Sequence, residues 1–284
     1  MDNIAIMFIL FSRAVFTSLF AAIVGLLVSP PLEYDATEGA SGCRIDHIVF
    51  QQGHCGACLA FASSVALGYR ICLNDHTDFV PSPFRIFDCL GKSCDNGLSI
   101  PEVEGVRMQG IGDLNATPAK FGWGCKFTEE SIASSWVGYF SYGETSMKTD
   151  IYLFGPAVTS VYVDPLFYLY QGIPDVYPLM HVRKKPPHVD STHAVAIIGW
   201  GYQPEPHWVI QNSWGADWGN VGRAKVPIES ITSQHSWRSD RYFYGDLVLL
   251  CMWLVVSTLV AHTILTCLIR AGKWYGISCC DMFF

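Results

Sequence analysis

The sequence predicts an α+β protein attached to a membrane, and three regions of the chain carry this prediction. An apolar, helix-prone run begins at Cys58 and continues to about Ile71. Far downstream, residues 193–201 and 207–211 combine small, β-branched and aromatic residues, which is typical of strands. Near the C-terminus, residues 247–269 form an uncharged apolar run that, as a helix, is long enough to cross a bilayer.

Composition and charge narrow the classes of function. The chain has 284 residues, of which 50% are hydrophobic, a high fraction for a soluble protein. The formal net charge is −7, and the basic residues are scattered apart from Arg183-Lys184-Lys185. The sequence therefore has no basic stripe that suggests a nucleic-acid partner. Because no pair of histidines has the helical spacing of metal ligands, we predict neither a metal site nor a cofactor.

The N-terminal segment predicts either a signal peptide or a signal anchor. Its apolar run, residues 14–28, follows a positively charged residue, as the apolar region of a signal peptide does. Pro30 and Pro31 stand where cleavage is expected, so removal or retention of residues 1–29 stays open. We expect residues 30–41 to be a linker that leads into the folded domain.

The C-terminal run at residues 247–269 predicts a transmembrane helix that contacts membrane lipid. Residues 236–246 then form a juxtamembrane segment. Residues 270–284 form a cytosolic tail, because the basic residues just after the run obey the positive-inside rule. The protein is predicted to cross the membrane once or twice, depending on the N-terminal segment, with its folded domain lumenal or extracellular.

The cysteines agree with this topology. Of the 11 cysteines, those that lie in the predicted lumenal region are Cys43, Cys55, Cys58, Cys72, Cys89, Cys94 and Cys125. Their number is odd, so in an oxidising compartment three disulfides leave one free, reactive thiol. The sequon that begins at Asn115 predicts a glycosylation site on the same side of the membrane.

Cys58 has the surroundings of a nucleophile. It opens the helix-prone run, so its sulfur is expected at a helix N-terminus, where free N–H groups and the helix dipole favour thiolate over thiol. The small residues Gly56 and Ala57 precede it and leave room for a substrate backbone. Taken alone, Cys58 is more typical of a buried small residue or of half a disulfide.

His193 and Asn212 are the predicted partners of this cysteine. His193 begins the first strand-like segment, and Asn212 directly follows the second. If the two strands pair as a hairpin, the two side chains become neighbours and can share a hydrogen bond that Trp214 shields from water. His188 is a rival base, but the small and β-branched residues that predict a strand directly follow His193.

These motifs resemble the papain family of cysteine peptidases, whose members carry the Cys-Gly-Ser/Ala-Cys run, a His-Ala strand and Asn-Ser-Trp-Gly in this order. The interval from Cys58 to His193 lies in the range of roughly 130 to 150 residues typical of papain and cathepsins. The resemblance implies a papain-like peptidase domain at residues 42–235. It also implies a two-lobe fold, with a helical lobe that begins at Cys58 and a β-barrel-like lobe that carries His193 and Asn212.

Cathepsin B is the member that the sequence resembles most within this family. Cys43 and Cys72 flank the nucleophile as an extra cathepsin B disulfide does, and the segments 147–156 and 168–172 are also similar. The resemblance implies three disulfides, and these are Cys43–Cys72, Cys55–Cys94 and Cys89–Cys125. The pairing uses every lumenal cysteine except Cys58.

The resemblance also implies further site residues. Gln52, six positions before the nucleophile, is expected to bind the oxyanion; its neighbour Gln51 is the alternative. The residues expected to bind substrate are Gly56, Gly97, Ala194 and Trp214. The alternative interpretation of Gly97 is a glycine that only forms a turn. Leu59 departs from the family pattern, in which tryptophan follows the nucleophile.

The predicted function is that of a cysteine-type endopeptidase acting on protein or peptide substrates. Cathepsin B removes C-terminal dipeptides because an inserted loop with histidines closes one end of its cleft. The corresponding interval between Cys94 and Cys125 is short and has no histidine, so the cleft is expected to be open at both ends. The alternative is a catalytically inactive papain-like domain that serves as a membrane-anchored binding module.

Overall fold

The protein is described here by a computed structural model. It covers residues 29–40, 42–115, 135–173, 175–178, 192–231 and 233–239, and, near the C-terminus, 256–258, 260, 262–264 and 266. The chain divides into one compact unit at Pro30–Asp240 and a second unit made of Met1–Ser29 with Arg241–Phe284. The functional residues predicted above lie in the first unit.

Helix α1, Cys58–Asp75, is the central helix of the first unit. Its residues from Leu59 to Ile71 are all buried, because small and mostly apolar side chains surround the helix on every side, with Arg70 as the one charged residue. A helix that is apolar all round is stable only inside a core. The predicted run from Cys58 to about Ile71 therefore corresponds to this helix, which continues for one further turn.

Among the described residues of the first unit, three shorter α-helices follow, and these are α2 at Pro83–Asp88, α3 at Ile100–Gln109 and α4 at Glu144–Phe154. Helix α3 begins with a capping box, in which the side chains of Ser99 and Glu102 bond to the backbone of the first turn. Its second residue is a proline, which suits a helix start.

The strands form one sheet in the order β2-β7-β3-β4-β5-β6, with β1 paired to β4. Their bounds are β1 Tyr34–Asp35, β2 Trp136–Tyr142, β3 Ala157–Tyr162, β4 Thr192–Gly201, β5 His207–Gln211, β6 Arg223–Pro227 and β7 Ser233–Ser239. Every described pairing within this sheet is antiparallel. Strands β4 and β5 form the hairpin that the sequence predicts.

Strand β4 separates two hydrophobic cores. Ala194, Ala196 and Ile198 face the core that surrounds α1. Val195 and Ile197 face a second core, built mainly by the other strands of the sheet. Successive side chains of a strand point to opposite faces, so a strand buried on both faces needs apolar residues throughout. His193 is the second residue of this strand and is itself buried.

A buried ionic network joins α1 to the sheet. Arg70 is fully buried, and its guanidinium donates to Asp150 of α4 at 2.8 Å. It also donates to the carbonyl oxygens of Gly155 at 2.8 Å and Pro156 at 2.5 Å. Asp150 in turn accepts from Gln234 of β7 at 2.7 Å. A buried charge is tolerated when such partners surround it.

Two strands of the structure lie in segments that the sequence analysis assigns to a linker and to a juxtamembrane segment. Residues 30–41, predicted as a linker, contain strand β1, in which Tyr34 pairs with Trp200. Residues 236–239, predicted as juxtamembrane, belong to β7, which pairs with β2 along its whole length. Both segments are mostly polar, so the sequence does not predict that their backbones pair with the more apolar strands β4 and β2.

The predicted membrane segments fall mostly outside the described residues. This holds for residues 14–28 and for most of 247–269, where the described residues, 256–258, 260, 262–264 and 266, are helical. Among the residues that the structure describes, no helix combines the length and apolar character needed to span a bilayer.

Candidate active site

Cys58 is the first residue of α1, and its thiol is free and partly exposed. The preceding residue, Ala57, has no side chain able to cap the helix, so the N–H groups of the first turn remain available. Backbone N–H groups of Cys58, Leu59 and Ala194 lie close enough to the sulfur to lower the pKa of the thiol. The proximity of the Ala194 N–H places the thiol beside the start of β4, the strand in which His193 directly precedes Ala194.

Disulfides fix the segment that leads to Cys58. The structure contains Cys55–Cys94 and Cys43–Cys72. Cys89 is disulfide-bonded as well, and its predicted partner, Cys125, lies outside the described residues. The predicted nucleophile is thus the one free cysteine among those that the structure describes.

Gly56 lies in this fixed segment for a reason that the sequence does not reveal. Its N–H donates to the carbonyl oxygen of Cys94 at 2.7 Å. A Cβ atom at this position would lie 2.8 Å from that same oxygen. Glycine is therefore required here by the close backbone approach across the Cys55–Cys94 disulfide, whatever its contact with substrate.

His193 and Asn212 are brought together by the β4–β5 hairpin. The imidazole Nε2 lies 2.7 Å from Asn212 Oδ1, and both side chains are buried. Asn212 Oδ1 also accepts the N–H of Ser213 at 2.7 Å, which identifies this atom as the amide oxygen. Because an amide oxygen only accepts, Nε2 carries a proton and Nδ1 is left to exchange a proton with a neighbouring group.

Aromatic rings cover the His193–Asn212 pair. Trp214 stacks on the imidazole with ring centroids 4.5 Å apart. Tyr168 stacks on the other side of the indole at 4.6 Å, and its side chain is mostly exposed. The three rings form one stack that limits access of water to the hydrogen bond between His193 and Asn212.

Gln52, and not Gln51, points into the site. The side chain of Gln52 is buried, and its Nε2 donates to the carbonyl oxygen of Cys55 at 2.8 Å. Its Oε1 accepts the hydroxyl of Ser213. An amide nitrogen has two hydrogens, so one remains for a further acceptor. Gln51 is exposed.

Burial controls the titration of the thiol and the imidazole. It raises the pKa of the Cys58 thiol, although backbone N–H groups act in the opposite direction. It also lowers the pKa of His193 to about 4, against the effect of the hydrogen bond to Asn212. The sequence analysis expects the helix N-terminus to favour the thiolate. With the thiol this buried, the helix N-terminus alone is not enough to produce it. A thiolate forms only together with an imidazolium beside it, because two adjacent opposite charges stabilise each other.

The remaining predicted residues lie apart from this group or at its edge. Ala194 is buried and contributes the N–H described above. Gly97 is exposed, with open space where a side chain would stand. Asn115 is exposed, and the rest of its sequon lies outside the described residues.

Two residues of the site were missed by the sequence reasoning. Ser213 links Gln52 to the segment that carries Asn212, and Tyr168 completes the aromatic stack. Ser213 stands inside the Asn-Ser-Trp-Gly motif, so the motif itself was a signal. Tyr168 belongs to a short 3-10 helix, Phe167–Leu169, more than 40 positions away from Trp214. Nothing local in the sequence indicates that the two rings meet.

The fold and this arrangement of a free thiol, a histidine–asparagine pair and a buried amide are those of a cysteine peptidase. The model of the papain family cysteine proteases matches residues 30–235. The chain belongs to the papain family.

Named relatives agree with this assignment, and a solved structure shares the fold. The chain is 28% identical over 239 residues to a gut-specific cysteine proteinase of Caenorhabditis elegans, covering 71% of this chain and 70% of the relative. It is 30% identical over 190 residues to pro-cathepsin H of Medicago truncatula, covering 63% and 53%. The structure of procathepsin B S9 from Trypanosoma congolense superposes with a TM-score of 0.60 at 23% identity, covering 74% of this chain and 78% of that one. The chain thus spans about half the length of its plant relative.

Proposed function

We propose that this chain is a cysteine-type endopeptidase that hydrolyses protein or peptide substrates. The observation that carries the proposal is the His193–Asn212 hydrogen bond. It occupies Nε2 and leaves Nδ1 as the proton acceptor beside a free cysteine. In this role Cys58 is the nucleophile, His193 the general base and acid, and Asn212 the residue that orients the imidazole.

Acyl transfer follows from these roles. Nδ1 of His193 takes the thiol proton as the sulfur of Cys58 attacks the substrate carbonyl carbon and forms a C–S bond. The same imidazole then gives its proton to the leaving amine as the peptide bond breaks. Water, deprotonated by His193, attacks the resulting thioester, and the acid is released with regeneration of the thiol.

Gln52 is proposed to stabilise the oxyanion together with the backbone N–H of Cys58. The bonds from Gln52 to Cys55 and Ser213 hold the amide in one orientation before substrate binds. A donor fixed in this way needs no reorganisation as negative charge develops on the carbonyl oxygen, and this is the source of its effect on rate.

We expect Gln52→Ala to lower kcat by about 10²- to 10³-fold, the loss typical of one oxyanion donor. Gln51→Ala is the matched control and is expected to keep kcat, because Gln51 is exposed. Steady-state kinetics on one fluorogenic peptide, with the thermal midpoint of each variant, distinguish loss of the donor from loss of folding. Equal kcat for the two variants would exclude Gln52 from this role.

The endopeptidase assignment within this proposal rests on the interval between Cys94 and Cys125, which has no histidine. A cleft open at both ends admits the middle of a chain. The test compares an internally quenched peptide blocked at both termini with the same peptide bearing a free C-terminal carboxylate. Both are expected to be cut by the purified protein, and neither by Cys58→Ala. Release of C-terminal dipeptides alone contradicts the endopeptidase assignment.

The rival function, an inactive binding module, is tested by thiol labelling. A peptide-like electrophile is expected to label the folded protein at Cys58 and to leave His193→Ala largely unlabelled, because the imidazole activates the thiol. A folded protein that takes up no label and cuts neither peptide supports the binding module instead.

A cathepsin B-like framework is the finer part of the proposal. The Cys43–Cys72 disulfide supports it, since this pair was expected from the cathepsin B resemblance alone. Substrate backbone is proposed to lie against Gly97, where the structure leaves open space, and beside Ala194 and Trp214 at the imidazole. Gly56 is proposed to shape this surface through its close contact with Cys94.

We also propose that the peptidase domain is lumenal or extracellular, anchored in lipid by residues 247–269 and glycosylated at Asn115. The disulfides support an oxidising compartment, and Asn115 is exposed. In sealed microsomes, residues 42–235 are expected to resist added protease until detergent is present. A glycosidase is expected to shift the mobility of the wild type but not of Asn115→Gln. Digestion of the domain without detergent contradicts this topology.

A further inference from the structure

The loop between α2 and α3 carries Gly97, and disulfides fix the start of this loop. Cys89 and Cys94 are both disulfide-bonded. The carbonyl oxygen of Cys94 also accepts the N–H of Gly56 at 2.7 Å. Gly97 lies beyond these anchors, is exposed and has open space where a side chain would stand. Its orientation therefore depends on contacts other than the disulfides.

Lys92 makes such a contact with Gly97. Its ammonium group donates to the carbonyl oxygen of Gly97 at 3.2 Å. The same nitrogen lies 2.7 Å from Oε1 of Glu102, which stands in the first turn of α3. The lysine thus joins the Gly97 carbonyl group to the start of a helix.

Glu102 is itself held in place by the capping box of α3. Its Oε2 accepts the N–H of Ser99 at 2.8 Å and the hydroxyl of Ser99 at 2.7 Å. Hydrogen bonds from Lys92 and Ser99 lower the pKa of Glu102 to about 2. The carboxylate therefore stays charged in mildly acidic as well as neutral solution. A continuous chain of contacts runs from the helix start to the Gly97 carbonyl group.

Gly97 keeps backbone groups available for a substrate. Its carbonyl oxygen has two lone pairs, of which Lys92 uses one. Its N–H bonds to no other group in the part of the chain that the structure describes. A donor and an acceptor on one residue are what an extended peptide needs in order to pair as in a sheet. The direction of the acceptor is set by the peptide plane that Lys92 holds.

We propose that Lys92 is a positioning residue for substrate binding that acts through the Gly97 carbonyl group, an inference that rests on the proposed function, in which substrate backbone lies against Gly97. Glycine has no Cβ to restrict its dihedral angles, so an unsupported Gly97 samples orientations that do not fit the substrate. Lys92, held by Glu102, removes this freedom before substrate binds, and less conformational entropy is lost on binding. Its effect therefore falls on KM, because the chemical step takes place at Cys58 and His193.

Steady-state kinetics of Lys92→Met on the internally quenched, doubly blocked peptide test this role. Methionine keeps an unbranched stem but has no charge and no N–H donor. We expect KM to rise about threefold to tenfold and kcat to stay within about twofold. The thermal midpoint is expected to be unchanged, because solvent screens an ion pair near the surface. Lys92→Arg is expected to restore KM, because a guanidinium has enough N–H groups to donate to both Gly97 and Glu102.

Lys225→Met is the matched control. Lys225, on β6, forms a similar ion pair with Asp175 at 2.9 Å, so the control removes one paired lysine from another place on the surface. Both KM and kcat are expected to stay within about twofold of the wild type.

Two further measurements separate substrate positioning from a structural effect and from failure of the proposed function. Calorimetric titration of chains bearing Cys58→Ala with the same peptide measures affinity without turnover, and Lys92→Met is expected to weaken it by the same factor as KM. Iodoacetamide, a small alkylating agent that needs no backbone pairing, is expected to modify Cys58 equally fast in the wild type and in Lys92→Met.

The proposal is overturned by unchanged KM and affinity in Lys92→Met, by an equal loss in Lys225→Met, or by failure of Lys92→Arg to restore binding. A fall in kcat or in the alkylation rate, or no binding of peptide to the chain bearing Cys58→Ala, overturns it as well. A wild-type chain that binds the peptide but does not cut it contradicts the proposed peptidase activity alone, and the affinities then decide the role of Lys92.

Discussion

His193→Ala is expected to lower kcat on a blocked peptide by about 10²- to 10⁴-fold, the range typical of general acid–base catalysis. The variant loses the proton acceptor for the thiol and the proton donor for the leaving amine together. His76→Asn is the matched control, because His76 is exposed at the end of α1 and asparagine tolerates its φ of 51°. Steady-state kinetics with the two variants check this. Similar rates for both would remove His193 from the mechanism.

The pH dependence of thiol alkylation gives a second readout of the same change. His193 has a pKa of about 4, so above that pH it is unprotonated and able to accept the thiol proton. In wild-type protein, alkylation of Cys58 is therefore expected to persist down to about pH 4 and to fall below it. In His193→Ala it is expected to require alkaline pH, because burial raises the pKa of the isolated thiol. Identical pH profiles would contradict the proposed proton transfer.

Arg70→Ala is expected to destabilise the folded domain by about 3–5 kcal/mol, the cost typical of removing one partner of a buried ion pair. The substitution leaves Asp150 buried without its cation and removes the donors to three carbonyl oxygens, those of Gly155, Pro156 and Trp237. Equilibrium urea unfolding of the chain bearing Cys58→Ala, followed by tryptophan fluorescence, measures the change without self-cleavage.

Arg44→Ala is the matched control for this measurement. Arg44 pairs with Asp113 near the surface, where the two side chains are 26% and 21% exposed. Water screens such a pair, so the expected loss is about 1 kcal/mol or less. A cost for Arg70→Ala no greater than that for Arg44→Ala would show that the buried network contributes little to stability.

The local motifs made much of the proposed site predictable. Cys58 opens a run of small and apolar residues, and His193 and Asn212 bracket two strand-like segments. These segments form a hairpin, because consecutive strands joined by a short loop pair readily. The hairpin alone is enough to bring the histidine and the asparagine within hydrogen-bonding distance.

The polar strands could not be predicted in the same way. Strand β7 reads as polar, and it is buried because Gln234 and Ser236 donate to Asp150, more than 80 positions earlier. Strand β1 has only two residues and pairs with β4 where Gly199 leaves no room for a side chain: a Cβ there would lie 2.1 Å from the Tyr34 carbonyl oxygen. Both depend on partners distant in sequence, which periodicity and propensity do not report.

The tripeptide that follows β5 makes three contacts with two residues of the site at once. Asn212 accepts from the imidazole, Ser213 holds the amide of Gln52, and Trp214 stacks on the histidine ring. If this short piece of backbone shifts, proton transfer and oxyanion binding fail in the same event. Partial loosening by heat or denaturant should therefore divide the population into fully competent and wholly inert molecules. The residual activity of a partly denatured preparation would then be proportional to the fraction of molecules with an intact site, and each of these would keep its original kcat.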